Sequence, residues 1–274
     1  VNSSIQYNTS KDKNMKTYSK ETLIKELLKI RESGWIMGSR QGNVGDVGNL
    51  LEDLLGIEEN NLPIPNAAEW ELKCQRINST SLTTLFHKEP SPTAFRFVPQ
   101  ILLPKYGWPH QSAGTRYPKS EMSFRQTING NSYSSRGFIV KIDRDARKVL
   151  ISFDSSKVAE ENTEWLLSVE KRVGLNELNP QPYWGFDDLF HKAGTKLLNC
   201  FYLLADRKKE KGNEYFWYKE IYMLQNFKIE KFVDAIEKGY VYVDFDARTG
   251  HNHGTKFRLR RNHLTDLYEN ATSL

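Results

Sequence analysis

The amino-acid sequence predicts a mixed α/β fold in which helices and β-strands alternate along the chain. Segments with apolar residues at helical spacing, such as ETLIKELLKI, are separated by runs rich in β-branched and aromatic residues. The clearest strand pair is FIVKIDRDARKVLISFD, two such runs around a polar turn. The chain has 274 residues, 38% of them hydrophobic, which is enough to bury a substantial core.

The first half of the chain predicts an arm, two helices and a sheet. Residues 1–19 are polar without the apolar segment of a secretion signal, so we expect a flexible arm. Ser19 suits the N-cap of the first helix, and Gly56 suits the end of a second helix, NLLEDLLGI. A Gly-rich loop, GWIMGSRQGNVGDVG, separates the two helices, and the prolines of NNLPIPN exclude helix after them. EWELKCQRI is predicted to be a strand, and TSLTTLF to continue the same sheet.

The second half continues the alternation. Residues 101–136 are predicted to be an irregular excursion, and the hairpin described above follows it. After Pro182, YWGFDDLFHKAGTKL predicts a helix, and NCFYLLADR and EYFWYKEIYML predict two paired strands whose aromatic residues lie mostly in the core. A capped amphipathic helix, IEKFVDAIEKG, then leads to a strand, YVYVDFDA. We find neither an internal repeat nor a long linker.

Positive charge is concentrated near the end of the chain. The net charge is +5 and the pI is near 9.0, which permits nucleic-acid binding but is weak evidence alone. Between Arg248 and His263 the chain carries five Lys or Arg residues and three His residues, without an acid. We expect a polyanion to bind this basic segment. The alternative is a solvated edge strand protected by charge.

Several classes of protein are excluded or disfavoured. No apolar run approaches the roughly 18 residues of a membrane-spanning helix. Cys74 and Cys200 cannot form a disulfide framework and neither has a CxxC partner, which favours a reducing cytosol as the location. Rossmann, Walker and nucleophile-elbow motifs are absent. The letters HNHG do not have the spacing of an HNH nuclease, and two histidines are only half of a structural zinc site.

Glu71 and Lys73 are the clearest candidates for chemistry. Residues two apart on a strand share a face, so these side chains should point together, away from Trp70 and Leu72. A carboxylate can hold Mg²⁺, and an adjacent ammonium can stabilise phosphate charge or help to activate a water. Such a pair could hydrolyse a phosphodiester. The alternative is an exposed salt bridge on the sheet, because so short a pattern often occurs by chance.

The order of motifs around this pair resembles the MvaI/BcnI family of type II restriction endonucleases. From residue 34 to 92 the sequence contains the Gly-rich loop, LLEDLL, ENNL, a proline and asparagine before ELK, and SLTTLF. YWGFDDL and HNHGTKFRL match further downstream. The resemblance implies a PD-(D/E)XK nuclease fold, a central mixed β-sheet flanked by helices, with catalytic and recognition lobes that form a DNA cleft. It places the catalytic lobe at 20–150 and the recognition lobe mainly at 151–274.

The resemblance assigns catalytic roles residue by residue. Glu71 becomes a metal ligand, Lys73 the ammonium that orients phosphate and water, and Glu52 the helix glutamate that faces the metal site. The family's leading aspartate falls on Asn66, whose amide could bind Mg²⁺ together with Glu71 but brings no charge. Three explanations stay open: an engineered inactivation, a natural variant in which Glu69 or Glu52 supplies the charge, or a nuclease relic that only binds DNA.

The resemblance also implies DNA contacts. His253 and Arg258 should meet base edges, where an arginine can contact guanine through two hydrogen bonds. Lys256 and Arg260 should contact phosphates. For each residue the alternative is an ordinary surface charge. Further predicted contacts are Arg40, Asn43, His87, Lys88, Arg248 and His251.

The expected function is therefore Mg²⁺-dependent, sequence-specific hydrolysis of double-stranded DNA at a short GC-rich site. The resemblance implies a monomer without an obligate protein partner, acting away from membranes, that cuts the two strands in turn. Two other functions stay open: a MutH-like strand-nicking repair endonuclease, and a catalytically silent DNA-binding protein, which Asn66 makes credible. A structural protein is disfavoured, since it would not bind DNA in a salt-dependent way.

Overall fold

A computed structural model describes residues 18–40, 42–43, 45–57 and 69–274. The predicted arm lies outside the described residues except for Tyr18 and Ser19, and the segment NNLPIPN, with Asn66, lies outside them entirely. Tyr18 is buried, and its hydroxyl donates a hydrogen bond to the Leu55 carbonyl at 2.5 Å. The packed structure therefore includes residues that the sequence assigned to the arm.

The described residues form six α-helices and fourteen β-strands, which confirms the mixed α/β prediction. The helices are α1 Lys20–Glu32, α2 Asp46–Leu55, α3 Leu103–Tyr106, α4 Thr163–Val173, α5 Phe186–Leu197 and α6 Ile229–Glu237. The strands are β1 Ile36–Met37, β2 Trp70–Arg76, β3 Thr83–His87, β4 Trp108–Pro109, β5 Met122–Ile128, β6 Arg136–Asp143, β7 Lys148–Val158, β8 Tyr183–Gly185, β9 Asn199–Glu210, β10 Asn213–Phe227, β11 Val241–Arg248, β12 His251–Asn252, β13 Lys256–Leu259 and β14 Tyr268–Ser273.

The strands form three sheets. Sheet 1 has the order β1-β10-β9-β2, with β14 also paired to β10, and β2 runs parallel to β9. Sheet 2 is antiparallel, with the order β3-β13-β11-β5-β4 and β12 paired to β11. Sheet 3 is the β6-β7 hairpin extended by β8. Sheets 1 and 2 each contain strands from both sides of residue 150.

Local sequence determines how α1 and α2 begin and end. The Ser19 hydroxyl accepts a hydrogen bond from the Thr22 amide at 3.2 Å, as an N-cap should. Gly56 follows α2 in the left-handed conformation, with φ of 67°, which glycine adopts at low cost. α2 begins earlier than predicted, at Asp46, because this buried carboxylate accepts the Arg40 amide at 2.8 Å and folds the Gly-rich loop onto the helix.

Two buried clusters position the elements around sheet 1. One cluster joins the leucines of α1 and α2 to Trp70 and Leu72 of β2 and to Phe216 and Tyr218 of β10. The larger cluster lies among sheets 2 and 3, α4, α5 and α6. The prediction that the aromatic run of β10 belongs mainly to the core is confirmed for these two residues. Within the described ranges, no helix has the length and apolar character needed to cross a membrane.

Four sequence predictions are wrong in detail. TSLTTLF does not continue the sheet of β2, because β3 pairs with β13 in sheet 2. The stretch 101–136 is not irregular, since it contains α3, β4 and β5. The segment after Pro182 begins as β8 and becomes helical at Phe186. The basic β13 is not an edge strand, because β3 and β11 flank it.

Candidate active site and DNA-binding surface

Glu71 and Lys73 lie together on the face of β2 opposite Trp70 and Leu72. The Lys73 ammonium donates a hydrogen bond to Glu71 Oε1 at 2.6 Å. Glu71 is only 1% exposed, and the side chain of Lys73 is 15% exposed. The alternative interpretation as an exposed salt bridge is therefore wrong. A buried ion pair is costly to desolvate, so its presence favours a functional role over a stabilising one.

A second ammonium, which the sequence analysis missed, approaches the same carboxylate. Lys196, in the last turn of α5, places its Nζ 3.7 Å from Glu71 Oε1. The other oxygen, Glu71 Oε2, is buried and has no hydrogen-bond partner among the residues that the structure describes. One oxygen thus faces two cations while the other is left for a ligand. The sequence signal that could have identified Lys196 is its spacing of one helical turn from Lys192, in the helix directly before β9.

Buried groups with little polarity close the back of this site. Cys200 is the residue of β9 that pairs with Glu71, and it is completely buried. Burial raises the pKa of the Cys200 thiol, which therefore stays protonated. Burial, and then the neighbouring Cys200 and Glu71, raise the pKa of the Tyr268 hydroxyl. Such surroundings strengthen the electrostatic interactions of Glu71.

The free oxygen of Glu71 fits the first ligand of a hard divalent cation. Carboxylate oxygens are the ligands that Mg²⁺ prefers, and an unpartnered buried oxygen needs a donor or a cation. No group of three or more His, Cys, Asp or Glu side chains in the described part of the chain could hold a metal. Asn66 lies outside that part. Glu52 is half-buried on α2, which packs against β2.

His87 connects this site to the basic segment. It ends β3 and pairs with Lys256 of β13. Burial lowers the pKa of His87, and the positive charges of Lys256, Lys196 and Lys192 lower it further, while Asp244 opposes them. These three lysines therefore act on one imidazole from α5 and from sheet 2. The structure thus brings two predicted DNA contacts, His87 and Lys256, close to the cations beside Glu71.

Sheet 2 presents a polar face with paired charges. Along β13 the buried Phe257 and Leu259 alternate with Lys256 and Arg258, which lie on the other face. Carboxylates of β11, missed by the sequence analysis, hold these cations. Lys256 lies 3.3 Å from Asp246, which also pairs with Arg125 of β5 at 2.8 Å, and Arg258 lies 3.3 Å from Asp244. The alternating sequence YVDFDAR was the signal that could have identified both acids.

The other predicted contacts of this region have defined neighbours. Arg248 pairs with Glu121 at 2.9 Å and lies 4.7 Å from the Tyr117 ring centre. The exposed rings of His251 and His253 meet edge to face, with their centres 4.2 Å apart. Lys88, Arg260 and the two histidines all belong to sheet 2 or to its connections. The Arg260 guanidinium contacts the Tyr242 hydroxyl.

Two predicted contacts belong to a different part of the molecule. Arg40 and Asn43 lie in the loop before α2, where the Asn43 side-chain oxygen accepts the Gly45 amide at 2.9 Å. α2 packs on the face of sheet 1 opposite Glu71. These two residues therefore do not join the group formed by His87 and sheet 2.

Comparison with known proteins identifies the family. The model of the MvaI/BcnI restriction endonuclease family matches residues 24–268. The structure is similar to that of the restriction endonuclease MvaI in complex with its cognate DNA substrate, with a TM-score of 0.72, 23% identity, and coverage of 94% of this chain and 99% of that one. MvaI in the absence of DNA matches at the same identity and coverage with a TM-score of 0.55.

No relative was found among curated proteins. The structural similarity confirms the fold that the sequence predicted. The family match extends over most of the chain and includes β2, α5 and the basic segment of sheet 2. The chain therefore belongs to the MvaI/BcnI restriction endonuclease family, a family of site-specific deoxyribonucleases.

Proposed function

We propose that this protein hydrolyses double-stranded DNA at a short GC-rich sequence with Mg²⁺ as its cofactor. The observation that carries the proposal is the buried carboxylate of Glu71, with Lys73 at 2.6 Å on one oxygen and the other oxygen unpartnered by any residue described. Burying such an ion pair lowers the stability of the sheet, so the presence of the pair favours a functional role. The carboxylate of Glu71 and the ammonium of Lys73 are the two groups that phosphodiester hydrolysis can use, as a metal ligand and as a phosphate contact.

Each group of the site has a role in this reaction. Mg²⁺, held by Glu71 and Asn66, would polarise the phosphate and lower the pKa of a water. Lys73 holds Glu71 in position and directs its ammonium toward a phosphate oxygen. Lys196 is loosely held at 3.7 Å, so it can turn from Glu71 to the bound phosphate. A water oxygen bonds to phosphorus while the bond to the 3′ oxygen breaks, which leaves a 5′ phosphate.

The polar face of sheet 2 supports sequence-specific binding. Arg258 can donate two hydrogen bonds to guanine, and a carboxylate such as Asp244 can accept from the cytosine amino group. Such an alternation of guanidinium and carboxylate groups suits G·C pairs, which agrees with a GC-rich site. His253 and His251 extend the same surface, and MvaI has been solved with its cognate DNA. Lys256 and Arg260 supply phosphate contacts.

We propose that sheet 1 with α1 and α2 is the catalytic lobe and sheet 2 the recognition lobe. Both sheets combine strands from before and after residue 150, so lobes defined in this way do not follow the predicted ranges 20–150 and 151–274. Action as a monomer in the cytoplasm is likewise part of the proposal and rests on the resemblance.

A DNA-binding protein without nuclease activity is the second candidate, and Asn66 favours it. An amide at the position of the family's aspartate leaves the metal with one negative charge fewer, which weakens its binding. In that case the chain would bind its DNA sequence and leave it intact. For activity to persist, Glu69 would have to supply the missing charge, or Glu52 would have to reach the site from α2, which packs on the face of sheet 1 opposite Glu71.

Supercoiled plasmid separates these functions in one assay. In Mg²⁺, a restriction endonuclease converts it to linear fragments, a MutH-like enzyme stops at the nicked circle, and a silent binding protein retards it uncut. Glu71→Ala should remove cutting and retain retardation. Cutting that survives this substitution would contradict the proposed site.

A further inference from the structure

The turn between β2 and β3 forms a second polar site, separate from the Glu71 carboxylate. It leads from the strand that carries Glu71 to the edge of sheet 2. A cavity of about 310 Å³ opens beside it. The lining residues are Arg76, Asn78, Ser79, Thr80, Ser81 and Arg207. Every one of these side chains can donate hydrogen bonds, and no carboxylate belongs to the lining as described.

Hydrogen bonds from both sheets hold this turn. The Ile77 amide donates to the Ala205 carbonyl of sheet 1 at 2.9 Å. The Gln75 amide group donates to the Ser81 carbonyl at 2.8 Å, and the Ser81 amide donates to the Ser79 hydroxyl at 3.1 Å. The cavity wall is therefore fixed before any ligand arrives, which lowers the entropic cost of binding.

Arg258 of sheet 2, which is predicted to contact DNA bases, forms a hydrogen bond with the same turn. The Arg258 guanidinium donates to the Leu82 carbonyl at 3.0 Å. The turn thus connects the strand of the nuclease site directly to a residue expected to contact DNA bases.

The two arginines differ in their partners. Arg207 contacts the carboxylate of Glu214, which also pairs with Lys209 at 3.3 Å. The Arg76 side chain is half-buried and forms neither a hydrogen bond nor an ion pair within the described ranges. Arg76 therefore contributes a positive charge that no neighbouring acid compensates. A site of donors around such a charge suits a phosphate group, since arginines, hydroxyls and amides are the usual phosphate contacts.

We propose that this cavity binds a backbone phosphate of the DNA duplex, remote from the phosphate that is cleaved. This inference rests on the proposed function. Arg76 lies five residues beyond Glu71 on β2, which is about 17 Å at about 3.3 Å per residue, and this odd spacing puts its side chain on the opposite face of the strand. That distance corresponds to about five base-pair steps of one DNA strand. Among the described strands β2 lies at the edge of sheet 1, and the cavity lies at the turn that ends it. A duplex held at Glu71 and on sheet 2 can therefore reach the cavity around this edge, where the site anchors the DNA flank.

The test is the salt dependence of binding to a duplex without added metal. Arg76→Gln should reduce the slope of log affinity against log salt by about 0.9, so that a fourfold rise in salt weakens binding about 3.5-fold less than in the unchanged protein. Arg76→Lys keeps the charge and should keep the slope. Lys25→Gln, which removes one exposed charge from α1, should also leave it unchanged.

Phosphate ethylation identifies the source of the ligand. Ethylation of one flanking phosphate should weaken binding by the unchanged protein and have no effect on Arg76→Gln. Equal slopes for Arg76→Gln and the unchanged protein would overturn the inference. The inference would also be overturned if inorganic phosphate changed the chemical shifts of Ser79 and Ser81 while ethylation of no DNA phosphate weakened binding. That result would indicate a site for a free anion. If the unchanged protein binds no DNA, the proposed function fails first.

Discussion

Removing the Lys73 ammonium tests whether Glu71 is as buried as the structure indicates. Lys73→Met keeps the length of the side chain and removes its charge. Glu71, only 1% exposed, then loses its hydrogen-bond donor at 2.6 Å and keeps only Lys196, at 3.7 Å. Breaking a buried ion pair on one side typically costs about 3–5 kcal/mol. Because Lys196 remains, we expect the lower end, about 3 kcal/mol.

The double variant provides the matched control. Glu71→Leu combined with Lys73→Met removes both charges and leaves no buried ion, so its stability should be close to that of the unchanged protein or above it. Function should be lost in both variants. The pair would then be an example of a site that lowers stability in exchange for activity.

Urea unfolding followed by circular dichroism measures these differences. The single variant should shift the midpoint to lower urea without changing the slope, and a loss of about 3 kcal/mol corresponds to a melting temperature lower by about 6 to 12 °C. If Lys73→Met unfolds like the unchanged protein, Glu71 is solvated and the argument from burial is refuted. If the double variant is the less stable of the two, the pair is a stabilising interaction instead.

Three further outcomes follow from the site. Lys196→Gln should lower the single-turnover cleavage rate about 10- to 100-fold, because it removes a charge-assisted hydrogen bond to the phosphate. Lys192→Gln, the control, should mainly weaken DNA binding. Equal cleavage rates for the two variants would show that Lys196 takes no part in the reaction. Because the folded state lowers the pKa of His87, the unfolded chain takes up a proton first as pH falls below about 6.5. Stability should then fall toward the lowered pKa, and His87→Asn should show a smaller loss in denaturation between pH 8 and 5. Arg258→Lys should reduce discrimination against a changed G·C pair about 10-fold or more in competition binding, because lysine cannot form both hydrogen bonds to guanine.

Local patterns predicted the elements whose causes are local. The Ser19 cap, the Gly56 terminus, the β6-β7 hairpin and the opposite faces of β2 all follow from residue spacing within a few positions. The pairing of β3 with β13 could not be predicted in this way, because the two strands are far apart in sequence and their contact depends on the whole of sheet 2.

The same distinction applies to the site. Glu71 and Lys73 share a face by strand geometry alone, and the family motif singled them out. Lys196 joins them only because α5 precedes β9, which runs parallel to β2. Asp244 alternates in a visible pattern, but its pairing with Arg258 needs the register of β11 with β13. The residues that were not predicted are those that meet only through tertiary packing.

Whether this chain cleaves DNA through Glu71 is tested most directly by digesting plasmid DNA in Mg²⁺ with three proteins: the chain itself, Asn66→Asp and Glu71→Ala. We expect discrete fragments with Asn66→Asp at least, and none with Glu71→Ala, although the latter retains DNA binding. Fragments from the chain itself would show that Asn66 is tolerated, and fragments only from Asn66→Asp would locate the defect at this ligand. DNA bound by all three proteins and cut by none would contradict the account.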